Sequence, residues 1–298
     1  MPLPPLRDPE SLRRRIGGLL LALPVSAFLC VTLLLCNFAQ TASLVLRPFS
    51  GRAFRAVNRC LANAWWGLCV TSGSRLYKVQ LVVTGDEVPP RENAVVVANH
   101  QQMPDVLVLM ALARSKHRLG DLKWFVKKVI KYVPGVGWGM TFLDCLFVER
   151  NWAADQASTT STFARLLDHR VPLWLVSFVE GTRLTPKKLT RAVAYANQRG
   201  LVPPRHVLVP RTKGFVASVA GLRAHLDAVY DVTIGYVGGV PTLWQYVRGF
   251  MRTAHLHVRR YPVALLPTDD EALARWLLER FRDKDALLER YYRTGAFA

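Results

Sequence analysis

Ala94-Val-Val-Val-Ala-Asn-His100-Gln-Gln-Met-Pro104-Asp105 decides how the rest of the chain is read. Val95, Val96 and Val97 form a β-branched run bounded by polar residues, the pattern of a buried strand. The run ends at Asn99, and His100 stands at the strand's C-terminal edge. Pro104 suits the first turn of a helix, where its missing N–H is not needed, and the stretch from Asp105 to Arg114 continues as that helix. His100 and Asp105 therefore flank a strand-to-helix turn, where α/β folds place their chemistry. An aspartate there accepts the Nδ1–H of the histidine, fixes its tautomer and leaves Nε2 as a general base. A lone His beside a lone Asp is more often a surface pair or a helix cap, so this pair alone assigns nothing.

A second stretch of the same kind lies downstream. The apolar run Leu173–Phe178 reads as a strand and ends in Val-Glu180-Gly181-Thr182-Arg183. Further strands are expected over Val79–Thr84, Leu143–Val148, Val207–Pro210, Val229–Val237 and Ala254–Val258. Helices are expected over 153–168, Pro186–Arg199, Phe215–Leu226 and 269–292. Lys116–Lys123 reads as a basic polar connection. Trp124–Tyr132 is amphipathic, and Pro134-Gly-Val-Gly137 is a loop or helix start. This alternation argues for an α/β fold: a mixed, largely parallel sheet flanked by helices.

Outward from that core, the N-terminal part differs. Residues 1–15 are polar and end in Arg13-Arg14-Arg15, and Ile16–Leu46 carries no charge. Ile16–Cys36 alone is long enough for the ~20 residues of a membrane-spanning helix. The apolar run exceeds a signal-peptide core, and Ala39 and Ala42 give only a weak cleavage site. Pro24 would kink a helix, which membranes tolerate. Arg47, Arg52, Arg55 and Arg59 follow, so basic residues flank the run on both sides and leave the orientation of a single span undecided. A re-entrant segment would keep both flanks on the cytoplasmic face, with the Trp-bearing stretch Phe54–Val70 as its second leg. Trp65 and Trp66 then belong either to the interface or to ordinary core packing. Residues 1–75 are thus expected to form a membrane-embedded helical segment and 76–298 the catalytic domain.

The chain carries 40 basic against 21 acidic residues, a net +19 over 298 residues. Such a surplus suggests a polyanionic partner: nucleic acid, an anionic membrane surface, or phosphate- or CoA-bearing substrates. No basic, aromatic-interleaved stripe of the known nucleic-acid modules occurs. Cys30, Cys36, Cys60, Cys69 and Cys145 contain no Cys-x-x-Cys pair and read as reduced packing residues. There is no Gly-x-Ser-x-Gly elbow for a covalent acyl-enzyme, no P-loop and no dinucleotide fingerprint. No metal is expected, since His255 and His257 share a strand face but read as solvated surface residues.

Four polar clusters follow strand-like runs: His100/Asp105, Arg150, Glu180–Arg183 and Arg211/Lys213. In a parallel sheet they converge on one crevice. Arginines there suit a bidentate grip on phosphate, and Gly181 and Gly214 allow close backbone approach. A His base beside a phosphate pocket fits deprotonation of a hydroxyl on a phosphorylated acceptor.

These motifs, in this order, resemble the glycerophosphate acyltransferase superfamily over about 77–298. Asn99-His100 with Asp105 matches its first motif, and Phe147-Val-Glu-Arg150 its second, whose arginine the family uses on acceptor phosphate. Phe178–Arg183 matches the third, and Val209-Pro210 with Gly214 the fourth, associated with donor binding. Val126-Lys-Lys128 through Gly137-Trp138, Pro210–Phe215, Tyr230-Asp-Val-Thr233 and Lys284-Asp-Ala through Gly295 are similar to the eukaryotic-type 1-acylglycerol-3-phosphate acyltransferases. Val179 departs from the pattern, since many members have Pro there. Some relatives carry further apolar spans after the catalytic domain, so this chain would be anchored only at its N-terminus.

The resemblance implies an enzyme that moves an acyl chain from acyl-CoA or acyl carrier protein to the sn-2 hydroxyl of lysophosphatidic acid, with no cofactor. It implies a membrane location with the catalytic domain facing the cytoplasm, at a bacterial inner membrane or the endoplasmic reticulum. His100 and Asp105 would be catalytic. Arg150, Gly181, Thr182 and Arg183 would bind the acceptor, and Glu180 would either hold the glycerol or order its loop. Lys127, Lys128, Pro210, Arg211, Lys213 and Gly214 would serve the oxyanion or the donor, a solvated basic face being the alternative for the lysines. Another lysophospholipid or glycerol 3-phosphate is the competing acceptor. From a different class, the charge also permits a non-catalytic protein binding membranes or nucleic acid.

Overall fold

A computed structural model describes residues 3–149 and 151–297. Helices α1 (Leu12–Ala42) and α2 (Gly51–Thr71) come first, followed by β1 (Gln80–Gly85), β2 (Ala94–Ala98) and α3 (Pro104–Ser115). Then follow β3 (Leu122–Lys127), α4 (Val136–Thr141), β4 (Leu146–Val148), α5 (Trp152–Asp168), β5 (Trp174–Ser177), α6 (Pro186–Gln198) and α7 (Thr212–Leu222). The chain ends with β6 (Ala228–Tyr236), α8 (Leu243–Val247), β7 (Thr253–Pro262) and α9 (Asp270–Thr294).

The seven strands form one sheet in the order β1-β7-β6-β2-β5-β3-β4. β6, β2, β5, β3 and β4 run parallel; β7 opposes β6, and β1 runs with β7. The α/β reading of the sequence therefore holds. Every residue of β2 is buried, because the strand has helices on both faces. Its alternation divides the core: Ala94, Val96 and Ala98 pack with α2 and α3, whereas Val95 and Val97 pack with α5, α7 and α9. β2 pairs with β5 on one side and β6 on the other. The chain leaves β2 through α3 on one face of the sheet and leaves the adjacent β5 towards α7 on the other, so a crevice opens between their carboxyl ends.

Two local expectations are corrected, and a third, left open between two readings, is decided. Lys116–Lys123 is not wholly a connection, since Leu122–Lys127 is a strand that buries Lys123. Val207–Pro210 is not a strand. Its region finds other hydrogen-bond acceptors: Asp285 takes the N–H groups of Arg205, His206 and Val207, and Glu180 takes that of Leu208. A loop whose backbone donors are met by carboxylates needs no sheet. The third concerns Trp66, which is buried, while Trp65 donates its Nε1–H to the carbonyl of Leu29 at 3.1 Å. Trp65 thus ties α2 to α1, and Trp66 packs in the core formed with the sheet and α3.

Helix α1 and the stretch to Leu46 are long and apolar enough to cross a membrane. Leu20, Leu23, Leu35 and Phe38 are exposed on it. Its other face rests on the α/β part of the chain near both ends. Gly18 lies against the Phe250 ring and the Arg248 carbonyl, and Gly135 lies against Leu33. Gln40 Nε2 donates to the Gly139 carbonyl at 3.4 Å.

Candidate active site

Asn99 closes β2 by locking it to β6: its Oδ1 accepts the N–H of Ile234 at 2.8 Å and its Nδ2 donates to the same residue's carbonyl at 3.0 Å. The next residue is thereby placed at the crevice. His100 Nδ1 lies 2.8 Å from Asp105 Oδ2. Asp105 is fully buried at the start of α3, and Oδ2 also accepts the N–H groups of Gln101 at 2.6 Å and Gln102 at 2.8 Å. Pairing with a carboxylate keeps the proton on Nδ1 and gives Nε2 the lone pair. The imidazole stacks on Phe178, centroids 4.0 Å apart and 15° from parallel, and its side chain is 14% exposed. A ring held on one face and at one nitrogen cannot easily rotate away from its productive orientation.

The turn after β5 is stitched to this one. Glu180 Oε1 accepts the His100 N–H at 2.8 Å, and Leu184 N–H donates to the His100 carbonyl at 2.8 Å. Glu180 Oε2 accepts the Leu208 N–H at 2.9 Å. Of the two roles the sequence allowed Glu180, the geometry fits ordering of the loops and not contact with glycerol: the carboxyl is buried and both oxygens hold backbone. Burial pushes that carboxyl up to about 8, against the lowering effect of the two N–H donors and of the Lys284 cation. Gly181 has φ +70°, and a Cβ there would lie 3.0 Å from Arg211 Nε, so a side chain would meet both strain and a clash.

Around this pair, Arg183 is exposed and donates through Nη1 to Gln102 Oε1 at 2.8 Å, beside the His100 turn. Thr182 Oγ1 accepts from Lys188 Nζ at 2.6 Å. Arg211 N–H donates to the Val179 carbonyl at 2.8 Å, which brings the start of α7 to the same place. Pro210 is buried before it, and Lys213 is exposed on the first turn of α7. A Cβ on Gly214 would meet nothing within 4 Å, so the close approach expected there is not made by protein atoms. Lys127 ends β3 at the same sheet edge, while Lys128 is ion-paired with Glu149 at the end of β4. Arg150 lies outside the described residues.

The sequence reading missed Tyr236, whose hydroxyl donates to Asp105 Oδ1 at 2.5 Å. It is the last residue of β6, two positions past the Ile234 that Asn99 holds, and it is fully enclosed. Its phenol is pushed well above the ordinary tyrosine range by burial first and by the Asp105 charge second. The proton therefore stays on the phenol as a donor. Tyr236→Phe removes one of four donors from a buried carboxylate. Hydrogen bonds to charged groups contribute about 1.5–3 kcal/mol, so urea denaturation is expected to show a loss of that size, with turnover falling about tenfold as Asp105 holds the imidazole less firmly. Unchanged stability and turnover would place Tyr236 outside the catalytic support.

Among the described residues, no group of three or more His, Cys, Asp or Glu side chains is placed to hold a metal. His255 and His257 are half-buried and not solvated as expected. His255 packs edge-on to Tyr291, and His257 pairs with Thr84 Oγ1 at 3.1 Å and lies against Phe297.

Residues 80–237 match the family model described as acyltransferase, and residues 245–298 the one described as acyltransferase C-terminus. The 1-acyl-sn-glycerol-3-phosphate acyltransferase 3 of Arabidopsis thaliana is 35% identical over 299 aligned positions, spanning 95% of this chain and 77% of that protein. The delta form from Rattus norvegicus is 34% identical over 278, spanning 89% and 71%. Among solved structures, the 1-acyl-sn-glycerophosphate acyltransferase PlsC from Thermotoga maritima superposes with a TM-score of 0.52 over 92% of this chain and 97% of that one. At 17% identity that likeness speaks for the fold alone.

Proposed function

The chain belongs to the 1-acyl-sn-glycerol-3-phosphate acyltransferases, and from that premise we propose that it transfers a fatty acyl group from an acyl thioester to the sn-2 hydroxyl of lysophosphatidic acid, giving phosphatidic acid. One observation carries the mechanism: His100 Nδ1 held 2.8 Å from a fully buried Asp105, at the crevice end of β2. His100 Nε2 takes the proton of the acceptor hydroxyl as that oxygen attacks the thioester carbonyl. The tetrahedral intermediate collapses, the C–S bond breaks, and the same proton passes from Nε2 to the departing thiolate. Asp105 stabilises the imidazolium formed between the two steps. Arg183 is exposed beside the histidine, where it suits the acceptor phosphate; Arg150, which ends the second motif, has the same assignment. Arg211, Lys213 and Lys127 at the same edge supply positive charge for the donor or the oxyanion.

The test is a substrate panel. Purified protein is incubated with labelled oleoyl-CoA and a set of lysolipids, and products are read by lipid mass spectrometry. Phosphatidic acid is the expected main product. Preferential acylation of another head group, or of glycerol 3-phosphate, would reassign the acceptor.

The anchor is read as half-immersed in one leaflet. Gly18 and Gln40 are 22 residues apart, ~33 Å along a helix, which is about the thickness of the hydrocarbon core. Near both positions α1 nonetheless rests on the catalytic domain. A helix standing upright through the bilayer would carry that domain through it. Laid along the membrane face, α1 buries Leu20, Leu23, Leu35 and Phe38 in lipid, and both basic flanks stay at the head groups. The domain then faces the cytoplasm, which supplies acyl-CoA; the five cysteines are free, in keeping with a reducing compartment.

A further inference from the structure

The geometry points to a lipid-contacting surface on the catalytic domain itself: two apolar patches, one at each end of α1, that dip into the same leaflet as the anchor. It rests on the membrane reading of α1 and goes beyond it, because these residues belong to other elements.

The first patch is the stretch between β3 and the end of α4. Val129, Tyr132, Val133 and Trp138 are all exposed, Tyr132 at 70% and Trp138 at 47%. They are not held away from the anchor. Gly135, among them, lies against Leu33, and Gly139 lies against Asn37 and Gln40 of α1. The second patch is α8, where Leu243 and Trp244 are exposed, Trp244 at 47%. Its neighbours Arg248 and Phe250 touch Gly18, and Arg248 Nη2 donates to the Arg15 carbonyl at 3.1 Å. Each patch thus adjoins α1, one at its C-terminal half and one at its N-terminal end.

Clustered exposed apolar side chains mark a contact surface, and the chemistry here selects a bilayer as occupant. Each patch carries a tryptophan beside cations, the arrangement favoured at head-group depth. Exposed Lys127 and Lys131 border the first patch, and exposed Arg13 and Arg14 open α1 near the second. Basic side chains at that depth are attracted to anionic lipid. The first patch also begins where β3 ends, at the sheet edge that carries His100. Seating it in lipid brings the crevice to the leaflet that holds a lipid acceptor, so the acceptor need not leave the membrane.

The experiment is site-specific photocrosslinking of the full chain in phosphatidylcholine–phosphatidylglycerol vesicles. The probe is p-benzoylphenylalanine at Tyr132, at Trp244, at Phe38 of α1 as positive control, or at Leu265 as negative control. Leu265 is exposed and follows β7, whose last residue pairs with the first of β6, so it lies at the opposite edge of the sheet. Mass spectrometry is expected to find lipid adducts at Phe38, Tyr132 and Trp244 and none at Leu265. Adducts at Phe38 alone would overturn the inference and leave the anchor reading intact. Their absence from Phe38 as well would overturn both, and protein–protein adducts at Tyr132 or Trp244 would reassign the patches to a second copy of the chain. As a second readout, the Tyr132→Ser/Trp138→Ser variant should lose activity several-fold on acceptor in vesicles and keep it on a short-chain acceptor dissolved in water. Equal losses on both would also overturn the inference.

Discussion

His100→Ala is expected to yield a folded protein with turnover lowered by at least about 10²–10⁴-fold, the usual contribution of a general base. The side chain lies at the crevice, and the interactions that organise its turn are made by its main chain. The N–H donates to Glu180 Oε1 and the carbonyl accepts from Leu184 N–H, and both survive truncation. The losses to the fold are the stack on Phe178 and the bond to Asp105. The remaining donors to Asp105, from Gln101, Gln102 and Tyr236, still satisfy the carboxylate. Circular dichroism and urea unfolding would check folding, and product formation from oleoyl-CoA and lysophosphatidic acid would check turnover. A folded variant with near-full activity would refute the mechanism. Asp105→Asn should also be severely impaired, because an amide in place of the carboxylate no longer supports an imidazolium on Nδ1.

Much of this arrangement was legible in the sequence for physical reasons. Three consecutive valines with polar ends have few stable environments other than a strand covered on both faces, and β2 has that burial. Pro104 and Asp105 carried the start of α3 because each suits a first helical turn, and the crevice follows from placing such turns at parallel strand ends. The pairing of His100 with Asp105 needed only their spacing across that turn. What the sequence concealed are contacts made by residues whose chemistry disagrees with their surroundings. Lys123 hid β3, since a buried lysine inside Leu122–Lys127 makes the stretch look solvated. Val207-Leu-Val imitated a strand, because hydrophobicity records burial and not where the backbone donors go. Glu180 was open to two roles, a contact to glycerol or a brace, and only its two backbone partners identify it as a brace between two loops. Tyr236 was missed because its partner is 131 positions away in the chain. One signal was available and unused: the buried stripe of α9 runs Leu273, Leu277, Phe281, Lys284, Leu288, Tyr291. A lysine at a core position of an amphipathic helix implies a buried anionic or carbonyl partner.

That lysine supports the other large expected effect. Lys284 is buried, and its Nζ lies 2.6 Å from Asp231 Oδ1, 2.6 Å from the Val232 carbonyl and 3.2 Å from Thr233 Oγ1, all on β6. Burial pulls its proton affinity down, while the charges of Asp231 and, less strongly, Glu180 pull it back up. Lys284→Met keeps the length of the side chain and removes the cation. Asp231 is then left buried without its partner, a situation that costs about 3–5 kcal/mol, so the urea midpoint should fall sharply. Turnover should fall too in assays above about pH 8, where Glu180 is ionised only while the cation is present. The Lys284 cation is one of the effects that restrain protonation of Glu180, and Glu180 holds both the His100 and the Leu208 N–H groups. Adding Asp231→Asn separates the two effects. With the second charge gone, most of the stability should return, because a buried pair replaced at both ends is far less damaging than one broken at a single end. Activity should not return with it, since Glu180 still lacks its cation. If stability and activity recover together in the double variant, Lys284 serves only the fold, and the brace under the histidine is independent of α9.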